Sequence, residues 1–229
     1  MTIKAVIDSG TMITLSGTCL MNVFKSFVRT NKFDLMISST IAQESVWNPI
    51  NNKKYALNAA RIKYAISEKI VNTIPKDSQV NSEMEKILRI ANNTFFTQHG
   101  PITIIQAGEA EALALAKIFN AKAMFIDERT TRSLIENPTR LKQVLERRQE
   151  EPVRLNQENL DAIRGMFPNL KMFRSVDIIA LAFEQDLFDH ELAHGKLELE
   201  AALYSAKFNG CAVSENEINE YLRTAKDRK

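Results

Sequence analysis

The chain has 229 residues, of which 45% are hydrophobic and 25% charged, values of an ordinary folded protein that exclude wholesale disorder. Thirty Lys and Arg against 28 Asp and Glu leave a net charge of +2, too mild to mark a nucleic-acid binder without a local basic face. Two cysteines, Cys19 and Cys211, in no CxxC pattern exclude a disulfide scaffold and a four-cysteine zinc site and suit a reducing cytoplasm.

Ile3-Lys4-Ala5-Val6-Ile7-Asp8 reads as a buried strand ended by a Ser9-Gly10-Thr11 turn. A helical pattern through Leu20, Phe24 and Val28 precedes a second strand, Asp34 to Ser38. No uncharged apolar run, 9–24 included, reaches the roughly 18 residues a membrane span needs, and no basic cluster marks a secretory signal at 1–7. From Tyr55 to about Asn93, two helical arms separated by Pro75 and Asp77 predict a helical hairpin insertion. Pro101 to Gln106 reads as a third strand running into an alanine-rich helix from Glu109 to Phe119. A fourth strand, Ala123 to Asp127, precedes helices around 134–148 and 157–166, a fifth strand at 170–174, and a helix at 176–183. The rest reads as helices broken at Asn209-Gly210. This alternation predicts an α/β fold with a parallel central sheet flanked by helices. The expected division is a domain over 1–186, its insertion at about 55–95, and a helical C-terminal extension over 187–229.

Asp8 and Asp127 each end a hydrophobic strand, Glu109 opens a helix after a strand, and Glu44 follows the second strand. In an open parallel sheet these positions converge on the carboxyl edge, where ligands bind. Such a cluster without histidine calls for a hard divalent cation, Mg²⁺ or Mn²⁺, which suits phosphodiester hydrolysis. Glu109 is preferred to Glu111, about 200° away around the helix, because its face continues into Ala112, Leu113 and Ala116. The bland alternative is that these acids are helix caps and surface charges.

Val6-Ile7-Asp8-Ser9-Gly10-Thr11-Met12-Ile13 resembles the opening of PIN-domain nucleases, and Gly108-Glu109-Ala110-Glu111 followed by Met124-Phe125-Ile126-Asp127-Glu128 resembles their second half. Ser39 to Glu44 resembles the segment that supplies the remaining acid, and archaeal-type members, longer than the VapC-type toxins, are the nearest in character. The resemblance implies a PIN-like, cytoplasmic, metal-dependent ribonuclease with Asp8, Glu44, Glu109 and Asp127 as catalytic and metal-binding residues. It also implies Glu111 as an accessory acid and Ser9 or Thr11 as supporting hydroxyls. RNA is the implied partner; a homodimer and a protein partner on the tail stay open, as does a catalytically inactive RNA- or protein-binding adaptor.

Arg129, Arg132, Arg147 and Arg148 lie in a basic stretch after Asp127 suited to steering RNA, unless it is simply a solvated helix face balanced by glutamates. Trp47 and Phe95-Phe96 are stacking candidates, the Phe pair being better explained as core. His190-Glu191-Leu192-Ala193-His194 matches the HExxH zinc-peptidase pattern, with Glu215, Glu217 or Glu220 as third-ligand candidates, but Gly195 interrupts the helix just after it. Asp8-Ser9-Gly10-Thr11 lacks the second glycine-rich loop of an actin-like ATPase and the acid two positions on of a haloacid-dehalogenase-like phosphatase.

Overall fold

The computed structural model describes residues 2–188, 192–193 and 195–225. β1 (Ile3–Ile7) leads through α1 (Ser9–Gly17) and α2 (Met21–Thr30) to β2 (Phe33–Ser38). Then come α3 (Ser39–Ala42), a π-helical turn (Gln43–Trp47), a 3-10 turn (Pro49–Asn51), α4 (Ala56–Ser67) and β3 (Asn72–Ile74). α5 (Ser78–Ala91), β4 (Phe95–Thr97), β5 (Gly100–Pro101) and α6 (Ala107–Ile118) return the chain to β6 (Ala123–Phe125). α7 (Arg129–Glu136), α8 (Pro138–Gln149), β7 (Arg154–Leu155) and α9 (Gln157–Gly165) precede β8 (Lys171–Phe173). The remainder is α10 (Ser175–Glu184), α11 (Lys196–Phe208) and α12 (Glu215–Thr224).

The central sheet has five strands in the order β3-β2-β1-β6-β8, every neighbouring pair parallel. Its inner strands are apolar and covered on both faces: Ala5, Val6, Ile7, Leu35, Ile37, Met124 and Phe125 are all buried, as a helix-flanked parallel sheet requires. α6 lies across β1 and β2 and packs on α5. Its whole middle, Ala110 to Ala116, is buried, because alternating alanines let a helix be enclosed on all sides. A small antiparallel sheet, β5-β4-β7, sits apart from the main one. No helix among the described residues is long and apolar enough to cross a membrane.

Three expectations change. Ser9-Gly10-Thr11 is the first turn of α1, with Asp8 as its cap. Pro101 to Gln106 is no central strand: its buried Ile104 and Ile105 donate their backbone N–H groups to Asn92 Oδ1 at 2.7 and 3.0 Å, so a side-chain amide replaces a strand partner. The third central strand is instead Asn72–Ile74, between the arms of the expected hairpin and parallel to β2. A helix–strand–helix unit therefore stands where an insertion was expected, and its short, half-polar strand carries no hydrophobic signal.

α11 packs on α10 and α1, and α12 on α11. Gly17 lets α1 approach the tail: a Cβ there would lie 2.4 Å from Asn209 Oδ1. Arg174 binds α12 in place, its guanidinium donating to Asp177 Oδ2 at 3.3 Å, Glu217 Oε1 at 2.7 Å and the Tyr221 hydroxyl at 3.1 Å. The Tyr221 hydroxyl in turn donates to Asp177. Burial opposes the Arg174 charge, yet Asp177, Tyr221 and Glu217 raise its pKa overall. Removing one member of such a buried network strands the others. Arg174→Ala is therefore expected to lose on the order of 3 kcal/mol in urea unfolding at neutral pH; a loss below about 1 kcal/mol would mean that the tail is held by apolar packing alone.

Candidate functional site

From β1 the chain builds β2 and β3 on one side, then crosses over to build β6 and β8 on the other. The order reverses between β1 and β6, and a crevice opens at the carboxyl ends of such a strand pair. Asp8 and Asp127 lie there. The Asp8 N–H donates to the Phe125 carbonyl at 2.9 Å, and Ile7 pairs with Phe125. Adjacent strands stand about 5 Å apart, so the two acids come from neighbouring backbone on one edge.

Each acid is anchored by a helix start. Asp8 Oδ2 accepts from the Gly10 N–H at 3.0 Å, and a Cβ on Gly10 would sit only 3.1 Å from that oxygen. Asp127 accepts from the Ser175 N–H and the Ser175 hydroxyl, both at 2.7 Å, which ties it to the start of α10. Glu109 Oε2 accepts from the Gln106 N–H at 2.7 Å, closing a capping box on α6. Asp8 and Glu109 thus act as helix caps, and Asp127 binds the start of a third helix. The first turns of α1, α6 and α10 present backbone N–H groups to the acids, which offsets part of their mutual repulsion.

Burial is the largest influence on Asp8, whose pKa is pushed up to about 6. The Gly10 N–H pulls it back, Glu109 raises it, the Ser9 N–H lowers it, and Asp127 raises it again. The Cys211 thiol is raised by burial and then by the Asp127 charge. Asp8, Glu109 and Asp127 thus form one electrostatic neighbourhood, which no Lys or Arg salt bridge among the described residues enters. Among the described residues no group of three or more His, Cys, Asp or Glu side chains is placed so that it could hold a metal ion, so the expected set of Asp8, Glu44, Glu109 and Asp127 is not assembled as one ligand cluster.

Other candidates are dispersed. Glu44 is exposed on the π-helical turn and is not among the charges that act most strongly on Asp8. Glu111 is the buried acid of α6: its Oε2 meets Lys76 Nζ at 3.0 Å, and its Oε1 has no hydrogen-bond partner. The choice of Glu109 over Glu111 agrees with the Glu109 charge acting on Asp8, but the helix-face argument for it does not hold, since residues 110–116 are buried all round and Glu109 is half-buried in the first turn. Ser9 is half-buried, whereas Thr11 is buried with its hydroxyl unpartnered. Arg129 and Arg147 are exposed, and exposed Arg148 lines a cavity of about 560 Å³ whose wall includes Glu109, Glu128 and His99. Arg132 is largely withdrawn from the surface: its side chain is 14% exposed, its Nε lies 3.7 Å from the exposed Glu136, its Nη1 is buried without a partner, and burial and then Arg174 lower its pKa. Phe95 is core and Phe96 half-buried, while Trp47 is exposed.

His190, Glu191 and His194 lie outside the described residues. Of their third-ligand candidates, Glu217 is already engaged by Arg174 and by the Ser214 hydroxyl, and Glu215 by Lys207. Sequence reasoning missed Ser175, Lys76 and Cys211, whose roles arise from contacts across the fold that no local spacing announces.

A carboxyl group with a raised folded pKa holds its proton more tightly folded than unfolded, so its ionisation penalises the fold. For Asp8 that penalty is absent below the ordinary value of 3.8, grows up to about 6, and is complete above it. Asn keeps the helix cap. Asp8→Asn is thus expected to melt several degrees above the wild type at pH 7.5 in chelator, a gain of up to roughly 3 kcal/mol, with the gap closing near pH 4. A lower melting temperature at pH 7.5 would show that Asp8 is compensated by a cation of the protein itself. No family model, curated protein or solved structure matches the chain.

Proposed function

We propose that the chain is a divalent-metal-dependent endoribonuclease built on a PIN-like domain. The observation that carries this reading is the position of Asp8 and Asp127 on adjacent strands at the switch point, with the Glu109 charge acting on Asp8 from the start of α6. The order of acids along the chain agrees with the resemblance in the sequence.

The donor set fits a hard cation in kind: all are carboxylate oxygens, and no Lys or Arg among the described residues forms a salt bridge with the buried Asp8. Asp8 and Asp127 are the residues that would hold Mg²⁺ or Mn²⁺, with Glu109 added from its cap. Bound there, the ion would supply charge to the phosphodiester oxygens and activate water. The chain's own residues orient this chemistry. Ser175 fixes both oxygens of Asp127, and Gly10 fixes one oxygen of Asp8. The N–H groups of the first turns of α1 and α10 favour a phosphate at the same edge. A second reading, an RNA- or protein-binding adaptor on the same fold, draws support from the hydrogen bonds that already occupy Glu109 and Asp127.

Purified protein with mixed RNA is expected to cleave only with Mg²⁺ or Mn²⁺ and to stop with EDTA. Asp8→Asn should lose activity on the order of a hundredfold or more. Mn²⁺ should raise the melting temperature of the wild type but not of Asp8→Asn. Cleavage that survives the substitution would put the site elsewhere, and RNA binding indifferent to EDTA without cleavage would favour the adaptor.

A further inference from the structure

Between Glu44 and Glu68 the chain carries Lys53, Lys54, Arg61 and Lys63 and no acidic residue. This segment runs from the π-helical turn to the end of α4. Its large side chains stand out of the protein: Trp47 is 44% exposed, Tyr55 47% and Tyr64 54%. Each ring carries a lysine on its face. Lys63 Nζ lies 5.4 Å from the Trp47 ring centroid, Lys54 Nζ 5.1 Å from that of Tyr55, and Lys25 Nζ, reaching over from α2, 4.1 Å from that of Tyr64.

The arrangement follows from helix geometry. α4 turns Ala59, Ile62 and Ala65 into the core. At 3.6 residues per turn, Leu57, Ala60, Lys63 and Tyr64 fall within roughly 120° on the opposite side. Arg61 between the two faces is engaged, donating to the Ser16 carbonyl at 2.8 Å. Exposed aromatic rings are costly to hydrate, and a cation on each ring face relieves that only in part.

We propose that this face binds unpaired RNA, the bases stacking on Trp47 and Tyr64 while Lys63 and Lys25 meet the phosphates. Rings interleaved with cations and free of carboxylates match an alternation of flat bases and negative charges. A bilayer would ask for a broader aliphatic stripe than Leu57 alone. The face also begins at the carboxyl edge of the sheet, since Trp47 closes the π-helical turn that follows β2 through α3. The choice of RNA among polyanions rests on the nuclease reading above.

Trp47 is the one tryptophan of the chain, so its emission reports on the face directly. The experiment uses the full chain in EDTA with a short oligouridylate, its duplex with oligoadenylate, and phosphatidylserine vesicles. The single strand is expected to quench Trp47 and to bind at least tenfold more tightly than the duplex. By anisotropy of labelled RNA, Trp47→Ala and Tyr64→Ala should each weaken binding roughly tenfold. Lys25→Gln and Lys63→Gln should each reduce the slope of log affinity against log salt by about 0.7. Unaltered affinity in both aromatic variants, no change in Trp47 emission at saturating RNA, or binding to vesicles but not RNA would overturn the proposal. The two readings fail separately: this signature without cleavage in Mn²⁺ removes the nuclease and keeps the face, while cleavage with unaltered binding in the variants does the reverse.

Discussion

The pairing of β1 with β6 governs the rest of the molecule. Ala5, Val6 and Ile7 align with Ala123, Met124 and Phe125, and all six side chains are buried. A slip of one residue would exchange the two packed faces into which these side chains are fitted, so close apolar packing holds this register against the repulsion of the acids that follow. The phenylalanines on either side reinforce it, with Phe33 and Phe173 at 5.3 and 5.8 Å from Phe125 between ring centroids. Asp8 is consequently buried next to other carboxylates by forces in which it takes no part. That is how a fold can hold an unfavourable charge where chemistry needs one.

The C-terminal helices belong to the same arrangement. Ser175, the first residue of α10, holds Asp127; Arg174, one position earlier, holds α12; and Cys211 from the tail closes over Asp127. One strand end thus couples the acid edge to the last helices. Glu217 belongs to this coupling: burial works against its charge, but the Ser214 hydroxyl and N–H and then Arg174 hold its pKa down to about 2. A carboxylate so depressed stabilises the fold above its ordinary value of 4.5, and that contribution fades between 4.5 and about 2.

Much of this was legible in the residues. Short apolar runs ended by Asp8 and Asp127 marked the strands and their edge, because a run buried on both faces needs no alternation to be recognised. β3 was hidden, since Asn72 and Thr73 are exposed at the sheet margin and three residues carry no period. Pro101 to Gln106 looked like a strand because it is apolar, but the N–H groups of its buried Ile104 and Ile105 are satisfied by a single asparagine. The comparison of Glu109 with Glu111 presumed a helix with one buried face, and α6 has none that is free. Arg132 read as a surface cation, yet its side chain is 14% exposed. Such partners come from distant segments, and spacing along the chain says nothing of them.

Cys19 is exposed, at a left-handed backbone position just beyond α1, whereas Cys211 is buried beneath the tail. An alkylating reagent meets the first thiol directly and the second only after α11 and α12 have lifted. The interval between the two modifications is therefore a clock for that opening, built into the native chain without any introduced label.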